Sequence, residues 1–148
     1  MTSPLIEKDY IATGKVVHIF WNFPLPAEMH PQATIAAEAA ECAGVQGRFW
    51  PMHDQVFLNQ GAWSGNPDAL KVFQGYAAQL GLDTGKFQTC MSEHQTADKI
   101  NNDLMQGYQI GVESTPTFVI NGQGLLGAYP YDRFQQLIEA ALAAATQP

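Results

Sequence analysis

The side chains in this sequence with catalytic potential are two cysteines, four histidines and a few hydroxyls beside a proline. Cys42 and Cys90 are distant in the chain, so they cannot act as a Cys-x-x-Cys pair, whose reactivity needs adjacent thiols at a helix start. Each falls on an apolar helical stripe, Cys42 after Ile35 and Ala39, and Cys90 one turn beyond Phe87. Two readings follow from that placement. They are ordinary buried thiols, the commoner fate of free cysteine, or they are neighbours with Cα atoms within about 7 Å that bridge two packed helices. His18, His30, His53 and His94 show none of the short ligand spacings of zinc sites, so no metal is expected. His30 reads as a cap and His53 as a packed core residue. Asp54 follows His53, but adjacent helix residues do not face each other, which argues against a dyad. Ser114 and Thr117 flank Pro116 with no base nearby in sequence, and hydrogen bonding within a turn is their expected role. On residue types and spacing alone, no catalytic residue and no cofactor is assigned.

The elements that would position these groups follow from periodicity. Pro4 to Ile11 suits two turns of helix ending at Gly14, and Lys15 to Trp21 is a β-rich run closed by Pro24 and Pro26. From His30 the period becomes helical. A helix entered through Pro31 carries Ile35, Ala39 and Cys42. A second, with its aromatic side inward, carries Phe49, Met52, His53, Val56 and Phe57. Asn66-Pro67-Asp68 opens a third, through Phe73 and Ala77 to Gly81, and Asp83 caps a fourth with Phe87, Cys90 and Met91. Ile100, Leu104, Met105 and Tyr108 stripe a fifth. Thr115 is biased to extended backbone by Pro116, Phe118-Val119-Ile120 is strand-forming, Asn121 to Gly124 is turn chemistry and Leu125-Leu126 resumes, so the stretch predicts a hairpin. Phe134, Leu137, Ile138, Ala141 and Leu142 then mark an amphipathic closing helix.

Composition narrows the function classes. A chain of 148 residues, 46% hydrophobic, can bury a core as one domain. A net charge of −7 works against nucleic-acid binding, which depends on basic residues neutralising phosphates. No run approaches the roughly 20 apolar residues of a membrane span, and Met1 to Asp9 does not read as a signal peptide.

The segment Ser114-Thr115-Pro116-Thr117-Phe118-Val119-Ile120-Asn121-Gly122, followed by Leu126-Gly127-Ala128 and a helix opening at Pro130-Tyr131, resembles the cis-proline loop and closing hairpin and helix of DsbA-like members of the thioredoxin superfamily. The likeness runs through His30-Pro31-Gln32-Ala33, Ala36 to Ala43, Gln46 to Asp54, Tyr76 to Asp83, Phe87 to Cys90 and Gly111-Val112, in order. It implies an α/β thioredoxin-like fold, with residues 1–29 and 112–148 as the thioredoxin-like part and 30–111 as an all-helical insertion. One departure outweighs the matches. The family's Cys-x-x-Cys and the first core strand that leads to it are not found here, and Met1 to Gly14 is similar to the later part of the first helix.

What the resemblance implies is a thiol-disulfide oxidoreductase homologue that begins just after its redox motif. It keeps Ser114, Thr115, Pro116 and Thr117 as a docking loop for an extended polypeptide, with a cis Thr115-Pro116 bond expected, and it is inactive alone. Two alternatives stand beside it: a redox-dead module that takes a peptide, a partner strand or a second copy on an open sheet edge, and a glutathione-handling protein like the kappa-class transferases. The oxidising, extracytoplasmic compartment usual for the family favours the bridge between Cys42 and Cys90, as a structural disulfide.

Overall fold

The computed structural model describes residues 2–145. In chain order its elements are α1 (Ser3–Ile6), continued by a π-helical turn (Glu7–Ile11), α2 (Ala33–Gly44), α3 (Phe49–Leu58), α4 (Gln60–Trp63), α5 (Ala69–Gln79), α6 (Thr84–Ser92), α7 (Ala97–Gln109), β1 (Thr117–Ile120), β2 (Gln123–Leu126) and α8 (Tyr131–Ala145). They form two compact units, residues 2–20 with 108–145, and residues 21–107.

In the first unit the hairpin turns where Asn121 and Gly122 both adopt positive φ, 48° and 89°, the two-residue primed turn that matches strand twist. Its antiparallel register sets Phe118 opposite Leu125 and Val119 opposite Gly124. Strand alternation then sends Phe118, Ile120 and Leu125 to one face, where they pack with Tyr10, Phe134 and Ile138. Phe118 meets Phe134 edge to face at 4.8 Å between centroids. Val119 and Leu126 point the other way and are exposed.

Lys15 to Trp21 does not form the expected strand: residues 16–26 carry no regular secondary structure. A β-rich run becomes a strand only with a ladder partner, and β1 and β2 pair only with each other among the described residues. Val17 and Ile19 are left 84% and 71% exposed.

Two tyrosine hydroxyls tie α8 to the N-terminal helical turns. Tyr10 donates to Glu139 Oε1 at 2.7 Å and Tyr131 donates to Asp9 Oδ2 at 2.6 Å. Burial, then the bond to Glu139, pushes the Tyr10 phenol above its usual 10.0, and the bond to Asp9 raises that of Tyr131. Both phenols hold their protons more tightly folded than unfolded, so their stabilisation is complete below about pH 10 and is lost as pH rises through the folded values. The denaturation midpoint is expected to fall steadily from about pH 10 upward. Tyr10→Phe, measured over the same range, should flatten the slope, and an unchanged slope would show that other groups control it.

The second unit is helical. Ala36, Ala39, Ala40 and Ala43 make α2 narrow enough for close approach, and its core is filled by Met52, Val56, Trp63, Phe73, Phe87 and Met91. Burial of Phe73 and Phe87, each 0% exposed, contributes roughly 2 to 3 kcal/mol apiece. The indole of Trp63 donates to the Val56 carbonyl at 2.8 Å, which lets a polar ring enter the core.

Two inward faces differ from expectation. On α3, Met52 and Val56 are buried while Phe57 is 60% exposed, because the apolar stripe is set by the i, i+4 pair and not by ring content. On α7 the buried set is Ile100, Asp103 and Gly107, with Met105 and Tyr108 more than half exposed. At α5, Asn66 Oδ1 accepts from the Asp68 amide at 2.8 Å and the regular helix begins at Ala69. Asp83 caps α6 as read, accepting from the Lys86 amide at 3.0 Å.

Candidate functional site

The loop before β1 is built by its own short-range chemistry. Thr117 Oγ1 donates to the Ser114 carbonyl at 2.7 Å, so the hydroxyl serves the turn and is not poised as a nucleophile. The Gly127 amide donates to the Pro116 carbonyl at 2.8 Å, extending the hairpin's pairing by one bond past Leu126. The Thr115-Pro116 bond is cis. Ser114, Thr115 and Pro116 are exposed and Thr117 is half-buried, so the structure brings all four residues into one surface turn leading into β1.

Cys42 and Cys90 are bridged, with Cα atoms 5.8 Å apart, and both are almost wholly buried. The bridge joins α2 to α6 within the helical unit. Thr96, also buried, places Oγ1 3.9 Å from Cys42 Sγ.

His53 is half-buried among Phe49, Trp50 and Phe57, with the Phe57 ring 4.6 Å away between centroids. Contrary to the sequence argument, Asp54 does reach it: Oδ1 lies 3.1 Å from His53 Nδ1. Adjacent Cα–Cβ bonds diverge, but rotation about side-chain torsions brings two short polar ends together. His94, with a positive φ of 49°, sets Nδ1 2.9 Å from Glu38 Oε1.

A polar cluster in the helical unit went unread in the sequence. Asn22 Nδ2 donates to Asp103 Oδ2 at 2.8 Å and to Glu41 Oε1 at 2.6 Å, and the Asn22 amide donates to Asp103 Oδ2 at 3.0 Å. The Lys99 ammonium also contacts Asp103 Oδ2. The sole local trace of this cluster is the opposite-charge pair Lys99 and Asp103 at i, i+4.

The sequence model of the thioredoxin family matches residues 2–140. The crystal structure of Wolbachia pipientis alpha-DsbA1 superposes with a TM-score of 0.83 at 25% identity, covering 97% of this chain and 77% of that one. Among curated relatives, proteins named Na(+)/H(+) antiporter NhaA align in sequence. One from Salinispora arenicola is 36% identical over 140 residues, 95% of this chain, and one from Herminiimonas arsenicoxydans is 36% identical over 112 residues, 76% of this chain. The chain spans only about a fifth of the length of these relatives, 21% and 17% respectively. Among the described residues no helix is long and apolar enough to cross a membrane.

Proposed function

The chain belongs to the DsbA-like branch of the thioredoxin family, and from that premise we propose that it carries the polypeptide-docking part of a thiol-disulfide oxidoreductase and does not turn over disulfides by itself. The observation that carries this reading is the exposed turn Ser114 to Thr117 running directly into β1, in a sequence that contains no Cys-x-x-Cys. Exchange chemistry needs a thiolate that attacks a substrate disulfide and a second thiol that resolves the mixed disulfide. Docking needs only extended backbone beside extended backbone, with main-chain hydrogen bonds supplying affinity and alternate side chains supplying selectivity. Ser114, Thr115, Pro116 and Thr117 supply the second requirement.

A peptide-binding or strand-accepting module without redox activity is the second reading, favoured by the exposed Val119 and Leu126 beside the loop. The antiporter-named relatives suggest where a domain of this type works: joined in one polypeptide to a membrane transporter. An oxidising compartment suits the Cys42–Cys90 bridge.

An assay of insulin reduction with the purified chain is expected to show no rate above background, while an extended peptide binds. Methylating alternate amides of that peptide should weaken binding about tenfold, since each removes a main-chain donor. More than one disulfide reduced per chain sinks the docking-only reading. Indifference to methylation would sink strand-like docking while leaving the absence of turnover standing.

A further inference from the structure

A cleft of about 690 Å³ opens beside the Cys42–Cys90 bridge, between the end of α2 and α6, and both cysteines line it. They do so with little surface, Cys90 3% and Cys42 1% exposed, so Cys90 is the more accessible of the two. Its polar wall carries Gln46, Lys86, Thr89 and Gln95. Lys86 and Cys90 are four residues apart on α6 and so share one face of the helix, and both line the cleft. The Lys86 side chain is 78% exposed, and its ammonium makes a loose ion pair with Asp83 Oδ2 at 4.0 Å, beyond hydrogen-bonding distance. Gln46 is already committed, accepting from the Asp83 amide and donating to the Asp83 carbonyl, so it fixes the mouth of the cleft. On the far side of the bridge, Thr96 Oγ1 faces Cys42 Sγ at 3.9 Å. A bridged sulfur has no proton, so the hydroxyl is the donor.

We propose that this cleft is a reaction site for small anionic thiols, in which Cys90 Sγ is attacked and Cys42 Sγ departs. The entering thiolate forms a bond to Cys90 Sγ as the Cys42–Cys90 bond breaks, and the electron pair leaves on Cys42 Sγ, where Thr96 donates a hydrogen bond. A second thiolate attacks the entering thiol's sulfur, forms the external disulfide and releases Cys90 as thiolate. Both cysteines then take protons from water. Two external thiols are oxidised and one protein disulfide is reduced. Lys86 acts as a positioning residue that draws a carboxylate-bearing thiol through the field of an otherwise acidic chain. The site is independent of the docking loop and gives at most one equivalent of exchange per chain without an oxidant.

The test uses the oxidised full chain with glutathione, which is anionic, and 2-mercaptoethanol, which is neutral, with quenched samples alkylated and mapped by mass spectrometry. The rate is expected to rise linearly with thiol concentration, and the first adduct to sit on Cys90. Lys86→Glu should lower the glutathione rate about fivefold relative to the mercaptoethanol rate, a comparison that cancels any general change in fold. Thr96→Val should slow both thiols alike. A rate independent of thiol concentration would mean that exchange waits for unfolding and would overturn the proposal. So would an unchanged ratio in Lys86→Glu, or a first adduct on Cys42.

Discussion

Replacing Cys42 and Cys90 together by alanine is expected to lower the stability of the chain by about 4 kcal/mol. The bridge closes a loop with a sequence separation of 48, and the loop-closure entropy it removes from the unfolded chain grows as the logarithm of that length. Beyond the bridge itself, the alanines remove only the sulfur that the buried Thr96 hydroxyl faces at 3.9 Å, a long and weak contact whose loss adds little. Equilibrium denaturation of the oxidised chain, the reduced chain and the double variant separates the contributions. The reduced chain and the variant should lie close together, both well below the oxidised chain. A loss under about 1 kcal/mol would show that Ala39, Phe73 and Phe87 hold α2, α5 and α6 together in the unfolded ensemble as well, so that the bridge restrains little.

The inward placement of both cysteines was legible from local periodicity, while the choice of a bridge over two buried thiols came from the compartment that the family resemblance implies. Cys42 follows Ile35 and Ala39 by helical spacing, and Cys90 follows Phe87, so each inward direction was fixed by its own helix. The hairpin was legible for a similar reason: Asn121 and Gly122 accept positive φ cheaply, and that choice sets the register of both strands. Lys15 to Trp21 was not, because strand formation belongs to a pair of segments and β propensity describes only one. The faces of α3 and α7 were misjudged where residue type replaced geometry. Phe57 and Met105 are apolar yet exposed, while Asp103 is charged yet 5% exposed. Of the loop before β1, the turn chemistry of Thr117 could be read in the sequence, whereas its relation to β2 through the Gly127 amide depends on hairpin closure.

Asp103 is the costliest case of that illegibility, and Asp103→Ala is expected to destabilise the chain by about 3 kcal/mol. Its Oδ2 accepts from the amide and the side chain of Asn22 and also meets the Lys99 ammonium. Asn22 is only 2% exposed, so truncation leaves two buried donors without the acceptor they face. Lys99 is about half exposed and can turn to water or to Glu41 Oε1, 3.8 Å away, which keeps the cost below that of a fully buried ion pair. Asp103→Asn retains a carbonyl oxygen for one of the Asn22 donors and should cost roughly half as much. The decisive measurement is the cycle with Asn22→Ala. If Asn22 and Asp103 act as a unit, the double variant is hardly less stable than Asp103→Ala alone, because the donors orphaned by one change are removed or altered by the other. Strict additivity would mean that the two residues stabilise separate parts of the unit, and that Asn22 is held by Glu41 alone.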